Sequence, residues 1–111
     1  MNATIWHNPR CSKSREALAL LTAAGASVTI VEYLKTPPSR AELSRIYARA
    51  GMTAADGLRR SEPAAASLVG ASDDAILDAM VADPKLIERP LVETDKGARL
   101  GRPPETVLEI L

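Results

Sequence analysis

The chain has very few of the residues that build several common kinds of functional site. Its 111 residues include one cysteine, one histidine, one tryptophan, two tyrosines and no phenylalanine. A single cysteine excludes an internal disulfide, and one cysteine with one histidine supplies too few ligands for the usual zinc sites. We therefore expect no bound metal. The scarcity of aromatic rings argues against a base-stacking surface for single-stranded nucleic acid.

The sequence also lacks net charge and long apolar runs. Its 14 basic and 14 acidic side chains balance, so no overall field attracts nucleic acid or an anionic membrane. No apolar run approaches the roughly 20 residues of a membrane span. The segment from Met1 to Thr4 lacks the features of a signal peptide. We expect a cytoplasmic protein with no nucleic-acid or membrane partner, and a monomer, because no apolar stripe remains beyond the core.

Hydrophobic periodicity predicts alternating strands and helices along the chain. A β-branched run over 3–7, a helical stripe over 12–24 and a second β-branched run over 27–33 form a βαβ unit. Such a unit implies two parallel strands joined by a right-handed crossover. The later predicted elements are a helix from the capping box Ser39–Glu42 to Gly51, short helical turns over 52–69, a helix over 72–83, a strand hairpin over 90–101 and a last helix from Pro103.

The order β-α-β, helices, β-β-α is that of a thioredoxin-like fold. We therefore predict one α/β domain over 1–111 with a four-stranded mixed sheet flanked by helices. A helical insertion over about 39–83 separates the second and third strands. In this arrangement Cys11, in the loop after the first strand, lies at one edge of the sheet.

Cys11 stands where a thiol becomes reactive. At a helix start it faces unpaired backbone N–H groups and the positive end of the helix dipole, and both favour the nucleophilic thiolate. Three neighbouring cations act in the same direction: Arg10, Lys13 and Arg15. A lone cysteine is often an inert buried hydrophobe, but these polar neighbours favour the reactive alternative.

The sequence resembles the glutaredoxin-coupled arsenate reductase family over nearly its whole length. The family's N-terminal signature, a histidine, three residues, a cysteine, three residues and an arginine, is matched by His7, Cys11 and Arg15. The further matching segments are Val31–Pro38, Leu86–Pro90 and Asp95–Glu105.

The resemblance implies that Cys11 attacks arsenate held by three arginines, which by motif position are Arg59, Arg89 and Arg102. It implies that glutathione, a co-substrate, resolves the cysteine–arsenate adduct and that glutaredoxin reduces the resulting mixed disulfide. No cofactor is expected to be bound. The family also suggests a cis peptide bond at Pro90.

The chemistry of the residues agrees with these roles. Arsenate resembles phosphate in charge, and arginine's planar fork suits such an anion. Arg60 adjoins Arg59, and either could face the site. Ser14 occupies the position of the second cysteine in Cys-x-x-Cys proteins, so a second thiol must come from outside the chain.

Three further residues are predicted to stabilise the thiolate, and each has a structural alternative. His7 could hold the loop and lower the thiol pKa, or be a structural histidine. Ser14 could donate a hydrogen bond to the sulfur, or cap the helix. Arg15 could act on the thiolate, or pair with a neighbouring carboxylate.

Two other functions remain open at this point. One is a monothiol reductase of glutathionylated proteins, against which the predicted convergence of arginines argues. The other is a non-catalytic binding module, since related regulators contact RNA polymerase. Their redox-switch forms use a Cys-x-x-Cys pair, which this chain lacks.

Overall fold

Strands and helices alternate in the order that the hydrophobic pattern predicts. The computed structural model describes all 111 residues. The strands are β1 (Asn2–His7), β2 (Ser27–Glu32), β3 (Leu91–Thr94) and β4 (Gly97–Leu100). The α-helices are α1 (Ser12–Ala23), α2 (Arg40–Ala50) and α3 (Asp73–Ala82). Four 3-10 segments cover Ala55–Gly57, Pro63–Leu68, Pro84–Leu86 and Pro104–Ile110.

The sheet has the strand order β2-β1-β3-β4. β1 and β2 are parallel, with His7 opposite Glu32. β3 is antiparallel to both of its neighbours, β1 and β4. The predicted four-stranded mixed sheet and thioredoxin-like α/β class are confirmed. No helix is long and apolar enough to cross a bilayer.

Successive residues of β1 face two separate apolar layers, as the two-residue period of a strand requires. Ile5 packs on one side with Leu21 of α1 and the C-terminal segment. Trp6 packs on the other side with residues of α2 and α3. Burial on both faces fixes β1 at the centre of the sheet, so the loop that follows it starts from a rigid position.

The predicted helix ends of α2 and α3 are confirmed. Ser39 Oγ accepts a hydrogen bond from Glu42 N at 3.1 Å, and Ser72 Oγ accepts one from Ala75 N at 3.2 Å. Gly51 ends α2 with a φ of +69°, a left-handed conformation that glycine adopts at little cost.

Two details differ from the sequence-based expectation. The last helix is a 3-10 segment, Pro104–Ile110, because seven residues allow too few α-type hydrogen bonds to offset the cost of helix nucleation. Val81 continues the apolar series of the predicted helix over 72–83, after Ile76, Leu77 and Met80, but is 40% exposed. It lies about 100° around the helix from buried Met80, at the edge of the apolar stripe.

An unpredicted pairing joins the loop of 57–59 to the segment before β3. Arg59 N donates a hydrogen bond to Leu86 O, and Glu88 N donates one to Gly57 O, both at 2.8 Å. Leu58 and Ile87 form an antiparallel bridge between these hydrogen bonds. The pairing sets the backbone of Arg59 beside the segment that carries Arg89.

Gly57 is required in this pairing because a side chain there would collide with a buried ring. A Cβ atom at this position would lie 2.4 Å from Tyr47 Cζ. We predict that Gly57→Ala lowers the free energy of unfolding by about 1–3 kcal/mol, the usual range for overpacking. Urea unfolding followed by circular dichroism measures this value, and an unchanged midpoint would contradict the packing described.

Candidate active site

Cys11 is the N-cap residue of α1, and this places its sulfur at the helix start. Its backbone is extended, with φ −91° and ψ 122°, and the residue is partly exposed. The backbone N–H groups of Lys13 and Ser14 lie close enough to act on the sulfur, although neither makes a full capping hydrogen bond. The thiolate therefore faces the positive end of the helix.

The pKa of the Cys11 thiol lies below its ordinary value. Burial alone raises this pKa, but the Ser14 N–H group and the positive charge of the Arg89 guanidinium outweigh that effect. The Lys13 N–H group adds to the lowering. Since the thiolate is the nucleophilic form, this environment suits a cysteine that attacks an electrophile.

His7 and Ser14 form a buried pair behind the cysteine loop. His7 Nδ1 lies 2.6 Å from Ser14 Oγ, and Asn8 N donates a hydrogen bond to the same oxygen at 3.1 Å. Burial lowers the pKa of His7, and the Arg15 charge lowers it further against an opposing effect of Glu32. A neutral imidazole is thus favoured, and the Ser14 hydroxyl ties the end of β1 to α1.

Arg15 lies on the exposed side of the same loop. Its guanidinium donates a hydrogen bond to Pro9 O at 3.2 Å. The structure thus places Arg15 where it braces the loop, while Arg89 is the arginine whose charge lowers the pKa of Cys11.

Of the three arginines predicted to bind the oxyanion, Arg89 and Arg102 are in direct contact. The Arg89 side chain is only 13% exposed. Arg102 donates a hydrogen bond from its NH1 nitrogen to Arg89 O at 3.2 Å. Arg59 is partly buried whereas the adjacent Arg60 is exposed, so Arg59 is the member of that pair that turns inward.

Tyr33 is a component of the site that the sequence-based analysis missed. It is 1% exposed and follows the last residue of β2, one position beyond the pairing of His7 with Glu32. Burial raises the pKa of its hydroxyl, against opposing effects of Arg89, the Asn8 side chain and Arg59. The Cys11 thiolate also raises it.

The Tyr33 hydroxyl therefore stays protonated in a region influenced by the charges of Arg89, Arg59 and Cys11. A tyrosine just after a β-branched run is usually a core residue, and only the register of β1 and β2 reveals its neighbours.

Two arginine nitrogens at the site have no partner. Arg59 Nε and Arg89 Nε are buried and make no hydrogen bond. Buried donors without partners carry a desolvation cost of about 1–3 kcal/mol each. A hydrogen bond from either nitrogen to an acceptor such as an oxyanion would remove this cost for that nitrogen.

Two carboxylates lie against the arginines at distances beyond hydrogen bonding. Glu62 is 3.6 Å from Arg59, at the NH1 nitrogen. Glu88 is 3.6 Å from Arg89 and 3.7 Å from Arg102, again at the NH1 nitrogens. Neither carboxylate pairs with the Nε atom of Arg59 or Arg89.

The peptide bond before Pro90 is cis, as the family resemblance suggests, and that before Pro103 is cis as well. No group of three or more histidine, cysteine, aspartate or glutamate side chains is arranged to hold a metal ion. The arginines of α2 lie away from the site: Arg40 pairs with Asp74, and Arg45 and Arg49 pair with Glu93.

The lowered pKa of Cys11 leads to a pH prediction. Because the thiolate persists below the ordinary pKa, the rate of iodoacetamide alkylation should reach half its maximum below about pH 8.5, the free-cysteine value. Arg89→Ala should move this midpoint up by about one unit, and Arg60→Ala should leave it in place. A midpoint unaffected by Arg89→Ala would contradict the effect of Arg89 on the thiolate described above.

The buried pair of His7 and Ser14 leads to a stability prediction. Ser14→Ala leaves His7 Nδ1 without its partner, and we expect the free energy of unfolding to fall by about 1–3 kcal/mol. Ser12→Ala, at an exposed position of the same helix, is the matched control. Equal effects of the two substitutions in chemical denaturation would contradict this account.

The chain is similar over nearly its whole length to several known proteins. A family model described as the ArsC family matches residues 6–110. An arsenate reductase of Rhizobium meliloti is 48% identical, covering 100% of this chain and 82% of that protein. An uncharacterized Escherichia coli protein, YfgD, is 46% identical, covering 96% and 94%.

A solved structure extends the likeness to three dimensions. An arsenate reductase from Vibrio cholerae superposes with a TM-score of 0.93 at 48% identity, covering 100% of this chain and 98% of that one. With nearly the whole sequence matched by the family model, the chain belongs to the ArsC family.

Proposed function

We propose that this protein reduces arsenate to arsenite, with Cys11 as its single nucleophilic cysteine. Arg59, Arg89 and Arg102 bind the oxyanion. One observation carries the proposal: two buried arginine Nε donors without partners belong to the same cluster as a thiol whose pKa is lowered. A protein-thiol reductase has no need for such anion donors.

The first step joins the sulfur to arsenic. The Cys11 thiolate attacks arsenate, an S–As bond forms, and one arsenate oxygen leaves as water after protonation. Arsenic remains in its +5 state in this adduct. The arginines offset the negative charge of arsenate, which would otherwise repel the thiolate. The Tyr33 hydroxyl is a further hydrogen-bond donor to the anion.

The second step needs a thiol from outside the chain. Cys11 is the only cysteine, and the Ser14 hydroxyl is engaged with His7 and Asn8. Glutathione supplies the second sulfur: an S–S bond forms with Cys11, the As–S bond breaks, and its electron pair reduces arsenic to arsenite. Glutaredoxin then reduces the mixed disulfide.

His7, Ser14 and Arg15 support this chemistry by holding the loop. The hydrogen bonds of His7 and Ser14 fix the end of β1 against α1, and Arg15 fixes the carbonyl of Pro9. The N–H groups that stabilise the thiolate therefore keep their orientation. A single domain, a monomeric state and a cytoplasmic location belong to the same proposal.

Turnover tests the proposal. We expect arsenate-dependent NADPH consumption when glutathione, glutaredoxin and glutathione reductase are supplied. Cys11→Ser should abolish it, and so should omission of glutathione. Lack of activity in the unaltered protein, with Cys11 free and alkylatable, would overturn the arsenate assignment.

The arginines allow a matched comparison within the same assay. Removal of Arg59, Arg89 or Arg102 should raise the KM for arsenate at least tenfold, since a hydrogen bond to a charged group is worth about 1.5–3 kcal/mol. Arg60→Ala, which removes an exposed charge of equal sign, should change KM less than twofold. Equal effects of Arg59→Ala and Arg60→Ala would contradict the assignment of Arg59.

A further inference from the structure

We propose that Glu88 is a positioning residue that holds Arg89 and Arg102 together and thereby presents Arg89 to both the thiolate and the oxyanion. The inference rests on the proposed function only for the identity of the anion. No motif of the sequence suggests it, because Glu88 has the opposite charge from the residues that bind an oxyanion.

The contacts of Glu88 reach both arginines. Its Oε1 lies 3.6 Å from Arg89 NH1 and 3.7 Å from Arg102 NH1, and it accepts a hydrogen bond from Arg89 N at 3.3 Å. One carboxylate oxygen thus touches both the backbone and the side chain of Arg89. The Glu88 side chain is 21% exposed, so solvent screens these ion pairs less than it does on the open surface.

The backbone of Glu88 is fixed independently of these ion pairs. Its N–H group donates to Gly57 O, within the pairing that includes the Leu58–Ile87 bridge. The carboxylate is therefore attached to a rigid support. Because the Glu88 carboxylate lies against the Nη1 atoms of both arginines, the Nε atom of Arg89 has no partner. The Nε edge of Arg89 is then able to donate two parallel hydrogen bonds to an anion.

If Glu88 acted only through its negative charge, its removal would have the opposite effect from that expected if it positions Arg89. Loss of a negative charge by itself stabilises the Cys11 thiolate and strengthens anion binding. Loss of positioning lets Arg89 turn away from the sulfur and from the anion, so the thiolate becomes less stable and the anion binds more weakly. The sign of each change therefore identifies the role.

The first measurement is the pH dependence of Cys11 alkylation, which requires no arsenate. In Glu88→Ala we expect the midpoint to move up by about half a unit, and in Glu88→Gln, which keeps the shape, to move in the same direction by less. Glu93→Gln is the matched control, because Glu93 also bridges two arginines, Arg45 and Arg49, away from the thiol. It should leave the midpoint unchanged.

The second measurement is the protection of Cys11 from alkylation by inorganic phosphate. We expect the phosphate concentration for half-protection to rise about tenfold in Glu88→Ala and to stay unchanged in Glu93→Gln. A midpoint that moves down or stays, or tighter phosphate binding, in either folded Glu88 variant would overturn the positioning role.

These measurements also distinguish a wrong positioning role from a wrong proposed function. A protein that shows the upward midpoint shift but reduces no arsenate retains Glu88 as the positioning residue of another anion site. Phosphate that gives no protection even in the unaltered protein would overturn the oxyanion part of the inference.

Discussion

The stabilisation of the Cys11 thiolate by the Arg89 guanidinium is the interaction on which the site depends. It joins the start of α1 to the segment before β3, two parts of the chain that are far apart in sequence. Because Cys11 is partly buried, its thiolate would be disfavoured without this cation and the helix N–H groups. The central position of β1, buried on both faces, holds the two parts in register.

In the proposed function, the balance of charge around Arg59 and Arg89 prepares the site for an anion. Arg59 and Arg89 each have a carboxylate at the NH1 end and a free donor at Nε. The carboxylates of Glu62 and Glu88 offset the mutual repulsion between the guanidinium groups. They do so without pairing with the Nε atoms. An arriving oxyanion therefore meets oriented donors, which lowers the reorganisation needed when charge develops on it.

The sequence predicts the fold, which the structure confirms, and a candidate nucleophile, Cys11, but not the neighbours of that cysteine. Strand order followed from the βαβ pattern, and the helix ends at Ser39 and Gly51 followed from local capping chemistry. Tyr33 and Glu88 were missed, since their roles arise from strand register and from the Gly57–Glu88 pairing, which are long-range contacts. Arg59 could be chosen over Arg60 only by burial, which no local pattern determines.

The most direct test of the account is the covalent state of Cys11 after a single turnover without glutaredoxin. The protein would be incubated with arsenate and glutathione, quenched with acid and analysed by intact-mass and peptide mass spectrometry. The account predicts one glutathione per chain, on Cys11, formed with arsenite release and dependent on arsenate. An adduct that forms equally without arsenate, or no adduct on a thiol that alkylates freely, would contradict it.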